Sequence, residues 1–429
     1  MKLAQSLLKF ALPATLGFWT LTAVVDSISL LAQVPSSVGN EQKKIEEKLE
    51  PLIRRFLNRI MPTKQEVSDW LAERILPFCK YDSHLGFVHR DRKFKEGVDG
   101  SVCTYTYETS GERTRSRHGD SSCRINTYGD SFTSCEQVND GETWQEVLAA
   151  HLGEPVRNFG VGGYSVYLTY LRMKQEEVKV PAEYIIFNVY DDDHFRNLIS
   201  WQRITSGKSS TSFHPTTPYV KVNPTTQEFQ EFENPCPTRE SVYKLCDPDW
   251  VYQRFKDDFV LGVILARSGE GKKSDAKDGF LASLALKHKW ATQVDYSGDN
   301  VSKAANSQYA RAGMFASMRI VEKVEAFAEA NRKKVIYVLS CGPDNIAKRL
   351  VGEPRFDQEF VDFLRNKRLP YVDLMQAHVA DYKQFKINVT EYINRYFVGH
   401  YNPRGNFFYA FSLKDRLVDT LEPRPFPYR

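Results

Sequence analysis

The sequence carries almost no excess of either charge. Its 58 basic and 54 acidic residues leave a formal net charge of +4, and the two signs are interspersed. So small an imbalance gives no electrostatic footprint for nucleic acid, and no such partner is expected. Internal repeats and low-complexity tracts are also absent. Cysteine is sparse and odd in number: seven residues leave at least one thiol free unless a second chain supplies a partner. The apolar run near the start, 10–25, is short for a membrane-spanning helix.

What is present suits a folded globular chain. Its 429 residues fit one large domain with insertions, and 41% hydrophobic with 26% charged residues argues against wholesale disorder. Lys2 and Lys9 precede the apolar run, and Leu30-Leu31-Ala32-Gln33 offers a small-residue exit. Residues 1–33 therefore read as a secretory signal, or as an uncleaved anchor if the run continues through Leu31. The expected location is secreted, periplasmic or tethered to a membrane through the N-terminus, facing outside the cytoplasm. A helix-poor linker follows at 34–39. In an oxidising compartment Cys236 and Cys246, which flank a short polar stretch, are expected to form a local disulfide.

Residues 34–121 form an extension. Ile45, Leu49, Leu52, Ile53, Phe56 and Ile60 share one face at helical spacing, so 40–80 reads as helical, and 102–107 reads as a strand. From Arg124 strands alternate with helices. Strands are expected at 124–128, 156–159, 184–190, 335–340 and 371–374. Helices are expected at 143–152, 166–177, 302–330, 356–366 and 403–421, the first capped by Thr143 and stopped by Gly153. This alternation predicts a three-layer α/β/α fold with a mainly parallel sheet. The proline-bearing stretch 198–300 breaks the rhythm and reads as an insertion into a 122–429 core, with a hairpin near Asn223-Pro224 and a loop at 269–273.

Four strand ends or turns carry chemistry-bearing residues. Gly129-Asp130-Ser131 lies between a strand and a helix, where a serine can meet substrate at the sheet's carboxyl edge. Read blandly, Asp130 and Ser131 merely cap a helix. Asn158-Phe159-Gly160-Val161-Gly162-Gly163 ends the next strand, and its glycines let backbone approach a substrate. Asp191-Asp192-Asp193-His194 ends the third strand, and His400-Tyr401-Asn402-Pro403-Arg404-Gly405 precedes the last helix. The carboxylate run resembles a hard-cation site only superficially. Consecutive residues point in different directions, so no metal or other cofactor is expected.

The order and spacing of these blocks resemble the SGNH/GDSL hydrolases, a superfamily of esterases, lipases and carbohydrate O-acyl enzymes. The resemblance rests on Gly129-Asp130-Ser131, on Asn158, Gly160 and Gly163, and on His400 followed by Asn402 and Gly405. It covers 122–200 and about 303–425. It implies Ser131 as nucleophile, His400 as general base, and the backbone N–H groups of Ser131 and Gly163 as part of an oxyanion hole. Two positions depart from the pattern. Asp191 stands where the family has its oxyanion asparagine, and Phe397 stands where it has the aspartate that orients histidine. Asp191 either stays protonated and donates to the oxyanion, or the acidic run caps a helix and backbone groups alone form the hole. His400 leans on Asp191, Asp192 or Asp193, on a backbone carbonyl, or works with Ser131 as a dyad. The resemblance implies an ester hydrolase acting on an acyl, often acetyl, ester of a carbohydrate or lipid. The alternatives are an O-acyltransferase acting on an extracellular glycan and a catalytically lapsed glycan-binding module. In the last, Trp201, Tyr219, Trp250 and Tyr252 would either stack on sugar rings or pack in the core.

Overall fold

The computed structural model describes residues 36–429 apart from 77, 120, 209–214, 269–278 and 291–297. The stretch 1–33 and the loop at 269–273 lie outside the described residues. Four short strands come first: β1 (Cys79–Asp82), β2 (Gly86–His89), β3 (Arg92–Lys95) and β4 (Val102–Tyr105). β1 pairs with β2 and β3 with β4, both antiparallel. Next come β5 (Ile125–Tyr128), β6 (Arg157–Asn158), β7 (Tyr184–Tyr190), the hairpin β8 (Tyr219–Asn223) and β9 (Glu228–Phe232), then β10 (Lys334–Ser340) and β11 (Tyr371–Asp373).

β5, β6, β7, β10 and β11 form one five-stranded sheet in the order β11-β10-β7-β5-β6, every pair parallel. A parallel sheet must be covered on both faces, and the strand sequences suit that demand. On one face Ile185, Phe187, Val189, Tyr337 and Leu339 meet Met173, Ile320, Val324 and Phe360 from the helices Val166–Lys179, Gly298–Ala330 and Gln358–Asn366. On the other, Tyr184, Ile186, Ile336 and Val338 meet Leu148, Leu413 and Leu417 from the helices Trp144–Leu152 and Pro403–Thr420. The protein is thus an α/β fold with a parallel sheet between two helical layers, as the alternation predicts. The strand order places β6 on one side of β5 and β7 on the other. That reversal opens a crevice at the carboxyl end of β5, where open α/β sheets hold their sites.

Local signals set several boundaries. The Thr143 hydroxyl accepts from the Glu146 amide to start Trp144–Leu152, and Gly153 ends it. Other expectations are corrected. The helical reading of 40–80 splits into Ser36–Ile60 and Lys64–Leu71, because Pro62 interrupts it and Thr63 and Glu66 cap the second helix reciprocally. The first helix takes in 36–39, which the sequence reads as linker, and β1 and β2 follow before His89. The described residues of the insertion form the helices Pro248–Phe255, Phe259–Arg267 and Phe280–His288 besides the expected hairpin. Pro343–Leu350, Leu374–Tyr382 and Val389–Tyr396 are further helices that apolar periodicity does not single out. Among the described residues no helix is long and apolar enough to cross a membrane.

The expected Cys236–Cys246 disulfide is not formed, and all seven cysteines are unpaired thiols. The two sulfurs face different surroundings: Cys236 lies beside the Thr216 hydroxyl, Cys246 beside Lys64, Glu66 and Arg203. Close spacing in sequence does not bring two thiols to bonding geometry. Trp201, Tyr219 and Tyr252 are buried and Trp250 packs against the same core, so these aromatics fill the interior rather than offer faces to a sugar.

The extension is built into the core by Arg113. This side chain, 2% exposed, donates to the carbonyls of Ser134 (2.6 Å), Cys135 (2.8 Å) and Val138 (2.7 Å) and pairs with Asp140 at 2.7 Å. Its own amide donates to the Asn158 carbonyl at the sheet edge (2.8 Å). One guanidinium therefore satisfies the turn that follows Ser131. Arg113→Met should lower unfolding free energy by about 3–5 kcal/mol, because several buried carbonyls lose their donor and Asp140 its cation. Chemical denaturation would measure it, and a loss under about 0.5 kcal/mol would refute this account.

Candidate active site

β5 runs out at Tyr128, and Gly129-Asp130 turns the chain into a single helical turn, Ser131–Ser134. Asp130 caps that turn by accepting from the Phe132 amide at 3.0 Å. Its carboxyl is fully buried. Burial pushes its pKa up, against the pull of Arg196 at 3.6 Å. Asp130 serves the backbone, which leaves the Ser131 hydroxyl at the mouth of the turn.

His400 arrives from a distant part of the chain, on the short loop between Val389–Tyr396 and Pro403–Thr420. Asn402 caps the last helix by accepting from the Gly405 amide at 3.0 Å, with Pro403 in its first turn. The His400 amide donates to Gln137 Oε1 at 2.6 Å, and its ring lies against Phe132 at 5.0 Å between centroids. These contacts place Nε2 of His400 2.9 Å from Oγ of Ser131. Ser131 Oγ also lies 3.3 Å from Asp130 Oδ2. The pair is thus a hydroxyl and an imidazole within proton-transfer reach at the carboxyl edge of a parallel sheet.

The turn after β6 lies beside them. Asn158 Oδ1 accepts from the Gly160 amide at 3.0 Å and bends the chain. Gly163 has φ +80°, a region that disfavours residues with a Cβ. The Gly162 amide donates to Nε2 of His89 at 3.1 Å. Because that nitrogen accepts, the imidazole of His89 carries its proton on Nδ1, which faces the Tyr107 hydroxyl at 2.8 Å. Burial among Arg92, Arg113 and Arg172 holds the His89 pKa well below the ordinary value, so it stays neutral. The Ser131 and Gly163 amides donate to no other described group.

The acidic run does not join this pair. Asp191 Oδ2 accepts from the Gly342 amide and from Asn345 Nδ2, both at 2.8 Å. It ties the end of β7 to the start of Pro343–Leu350 and makes no hydrogen bond to Ser131 or His400. Asp192 is exposed and pairs with Arg196 at 3.4 Å. Asp193 is buried, accepts from the Tyr190 amide at 3.0 Å and pairs with Arg196 at 2.9 Å. The ring nitrogen Nδ1 of His400 has no hydrogen-bond partner among the described residues. Phe397 stacks on Tyr401 at 4.4 Å instead of supplying an acid. No three His, Cys, Asp or Glu side chains among the described residues converge as a metal-ligand set.

Burial pushes the Asp191 pKa up to about 7, despite the two hydrogen bonds that favour its charge. An unfolded aspartate titrates near 3.9, so between those values the native state binds the proton more tightly. The stability this gives is complete below about pH 4 and is lost as pH rises through about 7. Asp191→Asn should therefore melt a few degrees above the parent at pH 8, with the gap narrowing as pH falls and closing by about pH 4. A gap of equal size at both pH values would refute it.

A cavity of about 470 Å3 opens beside Ser131, Gly162 and Gly163. Phe78, Phe87 and Phe94 from the extension give it an apolar wall, and Arg92, Lys95 and Glu96 add charge. Gln202 and Pro215 reach it from the insertion. These wall residues escape sequence reasoning, because the motif blocks cover only the core. The alternation at Phe87-Val88-His89 and Arg92-Lys93-Phe94 is the one local signal that strands lie there. A comparison of the chain with protein-family models finds no match, and a comparison with curated proteins finds none either.

Proposed function

We propose that the protein is a serine hydrolase that cleaves a carboxylic ester, an acyl ester of a carbohydrate or lipid, with Ser131 as nucleophile and His400 as base. The observation that carries this reading is the 2.9 Å approach of His400 Nε2 to Ser131 Oγ at the carboxyl end of β5. The motif order that resembles SGNH hydrolases supports it independently. Ser131 Oγ forms a bond to the ester carbonyl carbon while its proton passes to Nε2 of His400. The carbonyl oxygen, now an anion, accepts from the free Ser131 and Gly163 amides. The carbon–oxygen bond to the alcohol then breaks, and His400 returns the proton to that oxygen. Water repeats the sequence on the acyl-serine, with His400 taking its proton, and the carboxylic acid leaves.

The phenylalanines that line the cavity suit the acyl part, and its charged and amide groups suit a polar alcohol. The location outside the cytoplasm remains part of the proposal and rests on residues 1–33, since the unpaired thiols lend it no support. A fluorophosphonate probe followed by peptide mapping tests the reading. Modification at Ser131 is expected, and modification elsewhere, or none at a concentration that labels an ordinary serine esterase, would overturn it.

A further inference from the structure

A histidine that takes a proton from serine becomes a cation, and the aspartate that usually faces its far nitrogen has no counterpart among the described residues. The nearest carboxylate to the reacting nitrogen is Glu136, with Oε2 3.8 Å from His400 Nε2. We propose that Glu136 is the electrostatic partner of His400, stabilising the imidazolium from the nucleophile's side; this rests on the ester-hydrolase reading above.

The local chain is bent to present it. Cys135 (φ 60°) and Gln137 (φ 70°) flank Glu136 in left-handed conformations, and the Glu136 amide returns to the Ser131 carbonyl at 3.1 Å. The seven residues 131–137 thus carry the nucleophile, the carboxylate and, through Gln137, the anchor of His400's backbone. The other oxygen, Oε1, lies 3.3 Å from Nη2 of Arg92 and 3.8 Å from Nε2 of His89. A Cβ on Gly162 would collide with Oε1, so the glycine turn is shaped to this carboxylate. Burial alone would raise the Glu136 pKa, but Arg92 and His400 outweigh it and hold it below the ordinary value. A separation of 3.8 Å is too long for a hydrogen bond. The proton on Nε2 therefore remains available to Ser131 and to the leaving alcohol, and the carboxylate acts by charge alone.

Other groups face this pair. Asp130 lies behind the serine and is held by Arg196, while His89, Arg92, Lys95 and Glu96 line the same cavity from the hairpins. Arg113 and Tyr107 stand near Glu136. Only Glu136 presents a carboxylate oxygen within ion-pair distance of the His400 ring among the described residues.

The test is the pH dependence of the rate at which a fluorophosphonate labels Ser131 in the full chain. The acid limb reports protonation of His400. Glu136→Gln should slow labelling about tenfold at neutral pH and move the limb to lower pH by about one unit, because an adjacent opposite charge favours the cation. Glu136→Asp, which keeps the charge, should leave the limb near the parent's. If Glu136→Gln does not fold, Arg92→Gln gives the same test with opposite sign, since an unneutralised Glu136 should move the limb up. A merely structural role lowers the rate without moving the limb, and a limb unmoved in a folded variant overturns the proposal. A parent protein that is not labelled at Ser131 at any pH overturns the hydrolase reading itself, and this inference with it.

Discussion

Ser131→Ala should abolish hydrolysis of an activated acetyl ester while the fold persists. Ser131 is 7% exposed, and its hydroxyl bonds are to His400 Nε2 at 2.9 Å and Asp130 Oδ2 at 3.3 Å. Neither partner is stranded by its loss. Asp130 keeps the Phe132 amide and Arg196, and His400 is partly exposed to solvent. Unfolding free energy should therefore change by less than about 1 kcal/mol. Turnover, by contrast, has no route without the oxygen that forms the acyl intermediate. Full turnover by a correctly folded Ser131→Ala would eliminate Ser131 as the nucleophile. Loss of both activity and fold would place the serine among the structural caps instead.

His400→Ala should lower kcat/KM by about a hundred- to ten-thousand-fold, the span typical of a lost general base, or more if the residues act as a unit. The loss should depend on the leaving group. A phenolate with strongly withdrawing substituents departs without a proton, so it should suffer least. An alkyl alcohol must receive the proton from Nε2, so it should suffer most. Rates across a series of alcohols of graded acidity would measure this. An equal loss across the series would mean that His400 does not deliver the proton. The backbone contact of His400 with Gln137 is made by its amide and survives the substitution, so the loop should stay in place.

Both expectations rest on an active region assembled from four parts of the chain. The core supplies Ser131 and His400, the turn after β6 supplies Gly163, the extension supplies His89 and Arg92, and the insertion supplies Gln202. The extension does more than cover the cavity. Arg113 holds carbonyls of the turn that carries Ser131, and His89 holds the Gly162 amide.

Much of the framework was legible in the residues. The apolar run 184–190 is the strand β7 to the residue, and Thr143 and Gly153 mark the ends of their helix. Strand period and cap chemistry are local, so a short window contains them. The pairing of Ser131 with His400 was expected from the resemblance of the motif blocks to SGNH hydrolases, and the fold brings the two side chains to 2.9 Å.

What the sequence leaves open is what depends on side-chain direction between segments far apart. Asp191, Asp192 and Asp193 are consecutive, yet one meets Gly342 and Asn345, one stays exposed beside Arg196, and one is buried beneath the Tyr190 amide. Cys236 and Cys246 are close in the chain and remain unpaired. Glu136 has no motif around it, and only the two left-handed residues beside it and Arg92, 44 positions away, bring its charge to His400. By itself the sequence determined the strands of the parallel sheet, their alternation with the main helices and several helix caps, because backbone preference and apolar period act over a few neighbours. The tertiary structure alone decided which carboxylate meets the histidine and which walls close the cavity, because Coulombic and packing contacts depend on distances that only the folded chain sets.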